Sequence, residues 1–231
     1  MPETDRFSIE IDASGCSPCM SGYDGLLKDS WYYRSLTFES GHIYGIISEY
    51  GQGCMYLSYL LGGREPLNGL HIRCGGQNYT QDMLREQAWM LEPRFESYGK
   101  RRVRQAILEA KGADFAEIAD RFLLTPERYD RRFIHLSGER WRAAAAYGFA
   151  LRKRVFFAPY ETSMFYRQLC RTGFSTVLRN LKDAGAIVLL PGGSDRFLGS
   201  VADSCIYADP VFDELENTKI PENTEIPENA E

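Results

Sequence analysis

His42-Ile-Tyr-Gly-Ile-Ile47-Ser48-Glu-Tyr-Gly-Gln-Gly53-Cys54-Met-Tyr-Leu-Ser-Tyr-Leu-Leu61-Gly62-Gly63 reads as three pieces in succession. The first is short and almost wholly apolar, as a strand covered on both faces must be. The second, from Ser48 to Gly53, is a Gly-rich turn. The third, Met55 to Leu61, reads as a helix closed by a Gly pair. Strand, Gly-rich turn and helix in that order point backbone N–H groups at one spot, the local arrangement that holds phosphates in nucleotide-binding α/β proteins.

Other segments extend this α/β pattern. Phe7–Ile11 and Ser35–Glu39 alternate apolar and polar residues, as half-exposed strands do. Arg154–Ala158 and Ala186–Leu190 are short apolar strands, and Cys205–Tyr207 is a weaker last one. Arg101–Leu124 has helical periodicity, with Thr125-Pro126 opening a further turn. Arg140–Leu151 is an Ala-rich helix, and Phe165–Ala184 is read as one helix ending at Gly185. The order of elements predicts a P-loop NTPase-like α/β core with an inserted helical subdomain at about 90–150.

The 231 residues are 44% apolar and 13% aromatic, enough to bury one substantial core. No apolar run approaches the eighteen or so residues of a membrane span, and the acidic opening MPETDRFSIE is not a signal peptide. We therefore expect a cytoplasmic chain with no direct membrane insertion. The net charge is −5, yet the last 23 residues alone hold eight acids and one Lys. Removing them leaves residues 1–208 at +2, a near-neutral body that does not favour a nucleic-acid partner. Residues 209–231 contain the repeat Ile-Pro-Glu-Asn-Thr-Glu, Ile-Pro-Glu-Asn-Ala-Glu and are expected to be an acidic disordered tail. Residues 1–22 form an N-terminal strand with a Cys-containing loop, and 23–208 the main domain. Cys16 and Cys19 have C-x-x-C spacing, but no second pair completes a zinc site, so no metal is expected. Reduced thiols in a surface loop are the plainer account; a redox or metal role shared with Cys54 is the alternative.

Two motifs and their order resemble the nucleotide-binding domain of ABC transporters, from about Tyr23 to about Tyr207. The Walker A pattern G-x-x-x-x-G-K-[ST] falls on Ser48–Tyr56. Gly51 and Gly53 fit; Ser48 replaces the first Gly, Cys54 the Lys and Met55 the Mg²⁺ hydroxyl. The family signature, L-S-G-G-Q/E followed by basic residues, resembles Leu136-Ser137-Gly138-Glu139-Arg140, one Gly short. In the family this loop and helix start press on a γ-phosphate bound by the partner subunit; Ser137 as an ordinary helix cap is the other reading. Glu139 either meets that phosphate or stands, after a deletion, where the family has Gln or Glu. Walker B needs four apolar residues and then Asp-Glu. Val155–Ala158 supplies the strand, but Pro159 and Tyr160 follow, and Glu161, the remaining candidate base, is displaced by one residue. Such a shift turns a strand side chain to the opposite face. The switch His is missing after Leu190, where Pro191-Gly-Gly-Ser-Asp195 follows; Asp195 matches the acid usual beyond it, and His42, His71 and His135 lie elsewhere. The resemblance further suggests Tyr23 as the aromatic under adenine and Gln87 as the Q-loop glutamine.

The resemblance implies an ATP-binding subunit with ATP as ligand. Its partners would be transmembrane permease chains and a second ABC ATPase subunit, or a copy of itself, at the inner face of the cell membrane. Residue chemistry implies a degenerate ATPase with no intact catalytic residue and without the hydroxyl that holds Mg²⁺. Losing one stabiliser of transition-state charge costs on the order of 3 kcal/mol, and four are replaced here. The expected role is a weakly active or non-hydrolysing half of an asymmetric dimer. The alternative is a regulatory or scaffolding protein that keeps the fold and binds no nucleotide.

Overall fold

In the computed structural model, residues 7–12, 19–23, 27–31, 35–48, 53–67, 69–110 and 112–208 are described, with the backbone course alone for 19–23 and 27–31. Gly51, Cys16 and the acidic tail lie outside these residues. The elements in chain order begin with β1 (Ser8–Asp12), β2 (Cys19–Tyr23), β3 (Leu27–Trp31), β4 (Leu36–Glu39), β5 (His42–Ile47) and α1 (Cys54–Leu61). Next come β6 (His71–Cys74), β7 (Gln77–Tyr79), α2 (Gln81–Gln87), β8 (Ala88–Met90), α3 (Val103–Leu108), α4 (Phe115–Arg121) and α5 (Glu139–Ala150). The chain continues through β9 (Val155–Phe157), α6 (Ser163–Arg171), α7 (Phe174–Asp183), β10 (Ile187–Gly192), α8 (Asp195–Leu198) and β11 (Ser204–Tyr207).

The centre is a parallel sheet in the order β11-β5-β10-β9-β8. Its strands alternate between two cores, as the two-residue period of a strand requires. Val188, Leu190, Phe156 and Ile43 enter one core, with helices α3 to α8; Ile187, Leu189, Val155, Phe157 and Ile46 enter the second. A strand buried on both faces has no polar face to show, which is why β10 reads as an unbroken apolar run. The second core is closed by α1 and by an antiparallel sheet in the order β4-β1-β6-β7, whose inward residues include Ile9, Ile11, Phe38 and Ile72. Wedged between the two sheets, α1 has all eight residues buried.

The chain between β8 and β9 is helical, with 3-10 turns at Pro93–Phe95, Ser97–Lys100, Pro126–Arg128 and Phe133–His135 around α3, α4 and α5. Two sequence expectations need correction. The helix expected over Arg101–Leu124 is two shorter ones, α3 and α4. The helix expected over Phe165–Ala184 is also two, because Gly173 adopts φ +94° and starts α7 anew. That left-handed conformation costs an L side chain roughly 1–2 kcal/mol, so glycine takes it and the axis breaks there. In addition, Cys19, expected in a loop, begins β2, which pairs antiparallel with β3.

Candidate functional site

Ligands of open α/β sheets bind at the C-terminal ends of the strands. Four strand ends meet there: Ser48 after β5, Gly193 after β10, Ala158–Glu161 after β9 and Leu91-Glu92 after β8. Ser48 is buried, and its N–H donates to the Gly192 carbonyl at 3.2 Å. Its hydroxyl accepts the N–H of Cys54 at 3.1 Å, so one of the donors at the start of α1 is already paired within the chain. Gly53 caps α1 with φ +108°. Cys54, Met55 and Tyr56 are buried, and the Tyr56 hydroxyl donates to the Pro66 carbonyl at 3.2 Å. Neither a cation nor a hydroxyl is offered at Cys54 or Met55. Among the described residues no three His, Cys, Asp or Glu side chains gather as metal ligands. These residues do not fit a magnesium ion.

Beyond β9, Pro159 and Tyr160 follow Ala158. The Tyr160 hydroxyl lies 2.4 Å from where a Cβ on Gly193 would be, and the Ser48 carbonyl lies 3.8 Å from the same point. Tyr160 thus reaches from β9 to the end of β10. Any side chain at Gly193 would require that phenol to shift. Glu161 forms a bridge with Gly192, its N–H donating to the Pro191 carbonyl at 3.3 Å. Burial pushes the Glu161 carboxyl up and the Glu92 carboxylate adds to this, against Arg94 and Arg140. Asp195, at the start of α8, accepts from the Tyr207 hydroxyl at 2.7 Å. Tyr23 ends β2, paired with Leu27.

The largest polar cluster of this edge centres on a residue the sequence reading passed over. Glu92 is fully buried directly beyond β8. Arg140 donates through Nε to both its carboxylate oxygens at 2.9 Å, Arg94 through Nη2 at 3.0 Å and the Trp141 indole at 2.9 Å. Burial alone would push the Glu92 carboxyl up; the bonds from Arg140 and Arg94 outweigh it and hold the group below the ordinary glutamate range. The cluster ties the end of β8 to the first turn of α5. Gln87 lies elsewhere. It ends α2 at the N-terminal end of β8, opposite the edge that carries Ser48 and Gly53, and its carbonyl accepts from the Arg154 N–H at 2.9 Å. Direction along β8 therefore separates Gln87 from any phosphate at α1. The only signal for Glu92 was a lone acid closing the apolar run Ala88–Leu91.

The Leu136–Arg140 segment connects the Phe133–His135 turn to α5. Ser137 is exposed at φ +49°, a left-handed conformation that non-glycine residues seldom hold. Gly138, and not Ser137, is the N-cap residue of α5, and no side chain caps it. Glu139 points inward, not toward an incoming phosphate. It accepts from the Thr125 N–H at 2.7 Å, the Thr125 hydroxyl at 2.9 Å and Arg128 at 3.0 Å, with Arg142 at 3.7 Å. The loop is thereby built from below, leaving the Ser137–Gly138 surface outward.

A parallel sheet with a glycine-capped buried helix after its inner strand, and a helical insertion before its last three strands, is the fold of ABC transporter ATP-binding subunits. One solved example is CbiO1 from Clostridium perfringens, part of the ABC transporter complex CbiONQ. It is 12% identical to this chain, with a TM-score of 0.63 over 87% of this chain and 84% of that one. A bacterial Atm1-family ABC exporter with ATP bound is 18% identical, with a TM-score of 0.56 over 90% of this chain and 38% of the other. No protein-family model and no curated protein sequence matches the chain. No helix among the described residues is long and apolar enough to cross a membrane.

Proposed function

We propose that the chain is an ATP-binding subunit of an ABC transporter that no longer hydrolyses ATP. In this reading it is one half of an asymmetric nucleotide-binding dimer, lending Ser137 and Gly138 to ATP held by a second subunit. It would dock on transmembrane permease chains at the cytoplasmic face of the membrane. The observation that carries the reading is the contrast between its two halves. The Leu136–Gly138 loop keeps an exposed Ser137 beside the α5 N-terminus, while the resemblance aligns Cys54, Pro159 and Tyr160 with a cation and two carboxylates and finds no His after β10. Helix N-termini favour anions whether or not chemistry follows, so a signature loop can serve a neighbour's ATP after its own site has lapsed.

Calorimetry of the purified chain with ATP, with and without Mg²⁺, beside an ATPase assay, tests this. We expect binding that is indifferent to Mg²⁺, and no turnover. Turnover on the order of 1–10 s⁻¹, ordinary for enzymes, sinks the proposal. One observation favours a second reading: the Tyr160 hydroxyl fills the space beside Gly193 at the end of β10. If ATP does not bind in either condition, a scaffolding protein that keeps the fold without nucleotide takes its place.

A further inference from the structure

The opposite edge of the parallel sheet, at the N-terminal ends of β9 and β10, carries a cavity of about 440 Å³. That is the size of a small-molecule site. Its lining includes the aromatic rings of Phe7 and Phe149, the latter with Arg121 over one face at 4.6 Å, and the consecutive basic residues Arg152, Lys153 and Arg154. Two acids also line it. Asp114 is engaged in capping α4, its Oδ1 accepting from the Ala116 N–H at 2.9 Å and the Glu117 N–H at 3.2 Å; Glu117 is the other. The Arg154 guanidinium lies over the Phe7 ring at 3.7 Å from its centroid, and Lys153 donates to the Glu86 carbonyl.

Arg152 is the odd member. Helix α5 ends with the Arg152 N–H on the Phe149 carbonyl at 2.9 Å and the Lys153 N–H on the Gly148 carbonyl at 3.0 Å. That closure needs a left-handed residue after the helix, the position glycine normally fills. Arg152 fills it at φ +58°. Its exposed side chain lies over Gly112 on the cavity rim and makes no hydrogen bond or ion pair among the described residues. A strained arginine that gains no partner among the described residues is well explained by one arriving from outside.

We propose that this cavity binds a small aromatic anion, with Arg152 taking its carboxylate or phosphate and the Phe7–Phe149 side taking its ring. Planar guanidinium groups pair with both kinds of anion through two parallel hydrogen bonds. The site is independent of the nucleotide reading, because it lies at the other end of the strands.

Calorimetric titration of the full chain with benzoate and phenyl phosphate, and with uncharged benzyl alcohol as a control, tests the proposal. Both anions are expected to bind, and benzyl alcohol about tenfold or more weakly, since a charged hydrogen bond carries most of the discrimination. Arg152→Gly is expected to raise the melting temperature, by releasing the strain, while weakening both anions about tenfold. Arg152→Lys is expected to keep part of the binding. The proposal is overturned if neither anion binds, if Arg152→Gly leaves binding unchanged, or if Arg152→Gly lowers the melting temperature. The last result would mean Arg152 is kept for the fold itself.

Discussion

Glu92→Ala is expected to cost the folded protein about 3–5 kcal/mol, the range for breaking a buried ion pair from one side. The reason is the company Glu92 keeps. Arg140 is only 12% exposed at its side chain, and the Trp141 indole N–H is buried against the same carboxylate. Removing the carboxylate leaves one cation and one donor unpaired in a place water reaches poorly. Glu92→Gln should cost less, because an amide oxygen still accepts from one donor. Urea denaturation of the two variants beside the parent chain measures both. The same carboxylate makes stability depend on acid. Its folded pKa lies below the ordinary glutamate value, so its contribution is complete above the ordinary glutamate range and is lost as pH falls through the depressed folded value. Denaturation midpoints of the parent should therefore decline steeply on acidification, and those of Glu92→Gln less so. Equal slopes would remove Glu92 from the account of acid stability.

Gly193→His is expected to destabilise the chain by about 1–3 kcal/mol, the usual penalty for forcing atoms into filled space. A Cβ there would stand 2.4 Å from the Tyr160 hydroxyl, closer than any van der Waals contact allows. Tyr160→Ala empties that space at a cost of its own. Combined with Gly193→His, it should recover about 1 kcal/mol or more relative to the sum of the single changes. A double-mutant cycle by chemical denaturation reads this coupling directly. A coupling near zero would mean the phenol swings aside freely, and the steric account of Gly193 would fall with it.

How much of this was legible depended on range. β5, the turn after it and α1 could be read because each signal is local: a run of apolar residues, a cluster of glycines, a second apolar run closed by Gly62-Gly63. β10 was equally plain. The break at Gly173 was not, since an isolated glycine in a helical pattern is tolerated as often as it ends one. The β6–β7 hairpin, turning at Gly75-Gly76, escaped because its strands are four and three residues long and rich in polar side chains. At the candidate site, the replacements at Cys54 and Met55 could be read against a pattern. Glu92 could not, because its partner Arg140 is 48 residues away and only the fold brings them together. The inward turn of Glu139 was hidden for the same reason: Thr125 and Arg128 lie a loop earlier, and spacing says nothing of which way a first-turn side chain points.

The burial of α1 on every side governs how this protein breathes. A helix lying on the surface can fray into water one turn at a time, but α1 cannot lift without parting two sheets. Its amide hydrogens should therefore exchange with solvent only when the whole domain opens, at rates set by global stability. The residues bordering it, Ser48 and Gly53, are held at the margin of the slowest-opening unit of the chain. Whatever the turn between them binds or declines to bind, its two anchor points are fixed beforehand, so an occupant would meet a rim already set in position.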